Sequence, residues 1–123
     1  MTLYLADSRR NDYINDDERL KLPQTAKILP ASAPGVSCDD TCASHHMHCQ
    51  PKLLPFADTC DALTANFKCT NGCGHQLGIE LPAFVTQASE ATVGQCLIAN
   101  GGAVPTCQSK HRATQRLCVC GAL

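Results

Sequence analysis

Cysteine is the residue type best placed to do chemistry here. The 123-residue chain holds ten of them, Cys38, Cys42, Cys49, Cys60, Cys69, Cys73, Cys96, Cys107, Cys118 and Cys120. A thiolate can ligate a metal, attack a substrate or pair as a disulfide. The first three stand among His45, His46 and His48, which raises a zinc site. Spacing argues against one. Steps of four, three and four through Cys38, Cys42, His45 and Cys49 follow the helical period. On a helix, Cys38 and Cys49 lie about 16 Å apart along the axis, whereas zinc holds its ligands at about 2.0–2.3 Å. No Cys-x2-Cys knuckle occurs either. No metal and no cofactor are therefore assigned. Cys118-Val119-Cys120 is not the Cys-x-x-Cys of a thioredoxin-like centre. On a strand its two sulfurs point to one face, and their close spacing sends them to two different partners. Five disulfides with no free thiol is the reading that remains.

Other catalytic constellations are missing from the sequence. It has no Gly-x-Ser-x-Gly elbow, glycine-rich phosphate loop or His-Glu-x-x-His. Nothing pairs the carboxylates of Asp58, Asp61, Glu80 and Glu90, and no catalytic residue is assigned. Lys110, His111, Arg112 and Arg116 form a small basic patch. It reads as an exposed turn, and more sharply as a contact for an anion or a glycan. The net charge of −1 gives no basic stripe for nucleic acid. No apolar run approaches the ~20 residues of a membrane span.

These residues need elements to hold them. Residues 1–33 contain no cysteine and hold about half of the charge, with Pro23 and Pro30 among scattered aliphatics. They read as a charged arm or linker with a helical turn near Asp16–Leu22. As a docking arm it would present Leu3, Tyr4, Leu5, Tyr13 and Ile14 to a partner. Residues 34–123 read as the cysteine-rich, disulfide-stapled domain. Ser37-Cys38-Asp39-Asp40 has the form of a capping box, which predicts a helix from Cys38 to His48 with the cysteine stripe, His45 included, buried. Asp58 is expected to cap a second helix, Thr59 to Phe67. Cys69 to Gly74 reads as a turn, and Leu81 to Thr86 as extended. Asn100-Gly101 between Gln95–Ala99 and Gly102–Cys107 predicts a β-hairpin, with Pro105 on an edge strand. The fold class is thus a small, loop-rich, disulfide-rich α+β domain with short helices and a hairpin. Aromatic residues supply only 4 % of the chain and Trp is missing. Cross-links worth roughly 2–4 kcal/mol each compensate for the modest core.

The cysteine spacing resembles a known family. Pro34-Gly35-Val36-Ser37-Cys38, then Cys42, then Cys49-Gln50-Pro51 is similar to the start of the C-terminal cysteine-rich region of N-acetylglucosaminyltransferase V, the α-1,6-mannosyl-glycoprotein 6-β-N-acetylglucosaminyltransferase family. Cys96, Cys107 and Cys118-Val119-Cys120, with His111 and Gln115-Arg116 before the last pair, resemble its end. The likeness covers roughly residues 34–120, with Cys60, Cys69 and Cys73 departing from it. It implies a Golgi-lumen or extracellular setting and a structural role for the matching cysteines. In that family the nucleotide-sugar site lies upstream, in a two-lobed core larger than this chain.

Three functional readings follow. The first is a non-catalytic module packing on a partner domain or binding a glycan or protein. The second is the terminal piece of an active glycosyltransferase. The third is an accessory subunit of a large assembly in an oxidising compartment, such as the mitochondrial intermembrane space.

Overall fold

The computed structural model describes residues 21–101 and 103–122. Most of the expected arm, with its docking residues and nearly all of its helical turn, lies outside the described residues.

The first strand, β1 (Lys27–Pro30), begins inside the segment expected to be arm. It pairs antiparallel with the last strand, β6 (Thr114–Gly121), from Lys27↔Cys120 to Pro30↔Leu117. Among the described residues the sheet thus begins at Lys27, within the segment 1–33 expected to be an arm. Ile28 and Leu29 pack against the core, which is what draws this stretch out of the linker.

Helix α1 (Cys38–Ser44) starts where the capping box places it. The Ser37 hydroxyl accepts the Asp40 backbone N–H at 3.0 Å, and Asp39 and Asp40 sit in the first turn, where the helix dipole favours acid. The helix is shorter than predicted. His45 caps its C-terminus and His46 takes φ 59°, turning the chain into the two-residue strand β2 (His48–Cys49). Cys49 thereby leaves the helical stripe and pairs with Cys120 across the ladder. His45 is exposed rather than buried, because the helix ends before its turn closes.

A 3-10 helix (Pro51–Phe56) leads to α2 (Cys60–Asn66). Thr59, not Asp58, caps α2: its hydroxyl accepts the Ala62 N–H at 3.1 Å. Asp58 instead accepts the Ala99 N–H at 2.8 Å, tying this turn to a strand 41 residues away. Strand β3 (Cys73–Gln76) follows the expected turn, in which Gly72 takes φ +82°. Strand β4 (Ala83–Val85) lies within the segment expected to be extended, and β5 (Cys96–Ala99) follows.

The predicted hairpin is not formed. β5 pairs parallel with β3 and antiparallel with β4, and residues 103–110 contain no strand. Asn100-Gly101 still turns the chain, with the Ala103 N–H donating to the Asn100 carbonyl at 3.1 Å. Pro105 carries no N–H for a ladder, and Cys107 is drawn away to Cys49.

The sheet order is β1-β6-β4-β5-β3, with β2 also on β6. The main core gathers the cysteines of α1 and β6 with Leu54, Leu63, Leu117 and Val119. A smaller cluster joins Leu81, Ala83, Val85 and Leu97. The fold class is a small disulfide-rich α+β domain, as the sequence predicts, with a mixed sheet in place of the hairpin.

Candidate binding surface

The ten cysteines form five disulfides and leave none free. Cys38 joins Cys118 and Cys42 joins Cys120. The helical step of four and the strand step of two thus meet, so two adjacent turns of α1 are riveted to one face of β6. As the Cys-x-Cys reading requires, Cys118 and Cys120 go to different partners. Cys49–Cys107, Cys60–Cys73 and Cys69–Cys96 complete the set. With every sulfur bonded to sulfur, none serves as nucleophile. A side-chain oxygen of Asp39 lies within 4.8 Å of the sulfurs of Cys49 and Cys107. Those sulfurs are bonded to one another, so the trio does not form a thiolate ligand set. Five bridges mark a protein matured in an oxidising environment, and no described helix is long and apolar enough to cross a membrane.

The basic patch is divided. Lys110, His111 and Arg112 are exposed on the loop before β6, where the His111 Nδ1 accepts the Ala113 N–H at 3.0 Å. Arg116 is fully buried, so it is removed from the expected anion or glycan contact. It shares its face of β6 with Cys118 and Cys120, but Leu117 and Val119 on the opposite face are buried as fully, so β6 is covered on both sides and offers Arg116 no solvent face. Its Nη1 donates to the carbonyls of Thr106 and Ser109 at 2.6 and 2.7 Å. Its Nε and Nη2 have no hydrogen-bond partner among the described residues. Burial pushes its pKa down to about 10, against the opposing charges of Glu80 and Asp39. Arg116 therefore acts from inside, drawing the 106–109 loop onto β6.

Two surface features stand out. One is an open groove of about 440 Å³ between α1 and β2, lined by Asp39, Ala43, His46, Met47, His48 and Cys49. The other is apolar. Leu77, Ile79 and Val104 are 67, 50 and 79 % exposed, and they are the large hydrophobic side chains most exposed among the described residues. The Thr106 N–H donates to the Ile79 carbonyl at 2.9 Å, which lays their two segments side by side. They adjoin β3, the edge strand of the sheet. Sequence reading passed over this trio because each residue sits alone among small or polar neighbours. Only the fold brings Val104 beside the 77–79 segment.

No protein-family model matches the chain, and no curated protein matches it.

Proposed function

We propose that the chain is a non-catalytic, disulfide-stapled module that packs its β3 edge and the Leu77, Ile79 and Val104 face on a protein partner, in the secretory pathway or outside the cell. The carrying observation is that exposed aliphatic trio on a frame fixed by five bridges. A stapled frame holds the face in one geometry before binding, which lowers the entropic cost of association. Aliphatic side chains suit a protein surface better than a glycan, whose sugar faces stack on aromatic rings. The described phenylalanine pair, Phe67 and Phe84, is stacked on itself, with centroids 5.5 Å apart and both rings half-buried.

The resemblance to the cysteine-rich end of N-acetylglucosaminyltransferase V gives the reading a setting. There the partner is a glycosyltransferase core, and the compartment is the Golgi lumen. The non-catalytic part rests on the bonding of all ten cysteine sulfurs, which leaves no thiol as a nucleophile.

The test is site-directed photo-crosslinking. A photoreactive side chain at Leu77 or Val104, in the chain expressed in its own cells, is expected to trap one defined protein. The same group at the exposed Lys52, on the 3-10 helix, is expected not to. Equal labelling from all three positions overturns the docking face. Transfer from a sugar nucleotide by the isolated chain overturns the non-catalytic reading.

A further inference from the structure

The sequence contains two Asn-Gly pairs, Asn71-Gly72 and Asn100-Gly101, and the fold treats them oppositely. Asparagine before glycine is open to a self-contained reaction. The backbone nitrogen of the glycine attacks the asparagine side-chain carbonyl carbon, an N–C bond forms, and ammonia leaves. The resulting succinimide takes up one water and opens to aspartate or isoaspartate. One amide nitrogen is lost as ammonia and one water oxygen is gained, so no oxidant or reductant is needed. The attack requires a glycine N–H that can give up its proton and a side chain free to swing over it.

At Asn71 both requirements are blocked. Its Nδ2 donates to the Val93 carbonyl at 2.6 Å, and its backbone N–H donates to the Gly94 carbonyl at 2.9 Å. The nitrogen that would attack, on Gly72, donates to the Cys69 carbonyl at 3.0 Å. Gly94 is packed so closely that a Cβ there would stand 2.7 Å from the Asn71 Nδ2. Two bridges, Cys60–Cys73 and Cys69–Cys96, fix the chain around this turn.

At Asn100 neither block is present. The side chain is exposed, and its amide makes no hydrogen bond among the described residues. Gly101 is exposed too, and a Cβ built on it would meet nothing within 4 Å. The Asn100 backbone is anchored, since its N–H donates to the Gln76 carbonyl at 2.8 Å and its carbonyl accepts from Ala103. Among the described residues, nothing accepts from the Gly101 N–H or bonds the Asn100 side chain.

We infer that Asn100 is a spontaneous deamidation site and that Asn71, with the same neighbour, is protected by the fold. Conversion adds a negative charge where β5 meets β3. The isoaspartate form also lengthens the backbone between the Gln76 and Ala103 contacts.

The test follows the native, oxidised chain through prolonged incubation in mildly alkaline buffer. Cleavage after glutamate places the two sites on separate peptides, because Glu80 and Glu90 lie between them. Mass spectrometry is expected to show amide-to-acid conversion of the Asn100 peptide, as aspartate and isoaspartate. Asn71 is expected to react roughly tenfold more slowly for each hydrogen bond that must first break. Reduction and denaturation are expected to bring the two rates together. Gly101→Ala, which has room to fold, is expected to slow Asn100 alone. Equal rates in the native protein, or an unchanged Asn100, overturn the inference.

Discussion

The two halves of the sheet are cross-linked in different ways. On the β6 side, Cys38–Cys118 and Cys42–Cys120 are buried and span 80 and 78 residues, clamping α1 to the last strand. On the β3 side, Cys60–Cys73 and Cys69–Cys96 span 13 and 27 residues, and only Cys96 among them is buried. The first pair joins the two ends of the domain and carries its core. The second pair shapes local turns beside the exposed apolar face. Long-range bridges thus replace the large aromatic core that this chain lacks, while short-range ones keep a surface in place.

The sharpest test of that contrast removes one bridge from each side. Cys38–Cys118 spans 80 residues but closes beside Cys42–Cys120, so with that neighbour intact it removes no more unfolded-chain entropy than the roughly 3 kcal/mol of the 13-residue Cys60–Cys73 loop. Replacing both Cys38 and Cys118 by Ala leaves gaps in the core where both side chains are fully buried, so the loss is expected near the upper end of about 2–5 kcal/mol and to threaten folding. Replacing Cys60 and Cys73 together is expected to cost about 3 kcal/mol or less. Denaturant unfolding measures both. Equal losses would break the comparison.

Arg116 tests the clamped side differently. It is the largest fully buried side chain, yet two of its nitrogens lack partners among the described residues. Arg116→Met removes a desolvated charge, a cost on the order of 3 kcal/mol given the depressed pKa. It also removes the two hydrogen bonds to Thr106 and Ser109. The effects oppose, and a net change within about 1 kcal/mol is expected. The pH dependence separates them. The folded arginine gives up its proton near pH 10, while the unfolded one holds it to higher pH. The unfolded state then binds more protons, so stability of the wild type rises as pH climbs past about 10. Arg116→Met lacks that rise, and a parallel pH curve for the two proteins would show that the charge is not confined.

What was legible in the sequence follows this same division. Periodicity placed Cys38 and Cys42 on one helical face and Cys118 and Cys120 on one strand face, and the clamp is the meeting of those two patterns. The capping box at Ser37 was legible because its partners are three residues apart. The β3 side was not legible, because its register is set by long-range pairing. Asn100-Gly101 carries a hairpin signal, but β5 already has neighbours on both edges, β3 and β4. Helix α1 stops early because Cys49 must enter β2 to bond Cys107. The exposed apolar trio was hidden for the same reason, since the segment of Val104 is laid beside 77–79 only by the long-range Thr106–Ile79 hydrogen bond.

Asp58 tests the β3 side, and its variants carry a smaller effect. Its Oδ1 accepts the Ala99 N–H at the end of β5. Burial raises its pKa, opposed by that hydrogen bond and by His75. A carboxyl with a raised folded pKa binds its proton longer when folded, so its charge weighs against the fold as pH rises through the carboxylate range. Asp58→Asn keeps an acceptor for Ala99 and removes the charge, so at neutral pH stability is expected within about 0.5 kcal/mol of wild type or above it. Asp58→Ala strands the N–H and is expected to cost about 1–2 kcal/mol. Thermal unfolding at neutral and acid pH distinguishes them. Equal losses from Asn and Ala would mean that the charge itself, not the hydrogen bond, holds the turn to β5.

The smallest stability effect is expected where the functional effect is greatest. Leu77 and Val104 are mostly in water already, so Leu77→Asp and Val104→Asp are expected to shift unfolding by no more than about 0.5 kcal/mol. A partner that buries them would have to desolvate the new carboxylate without a counter-charge, and binding is expected to fall by an order of magnitude or more. A loss of both stability and binding would mean that the trio supports the fold. Retention of both would move the docking surface elsewhere, with the groove between α1 and β2 next in line. Loss of binding alone fits only the division argued from the bridges: one side of the sheet keeps the fold, and the other is free to be used.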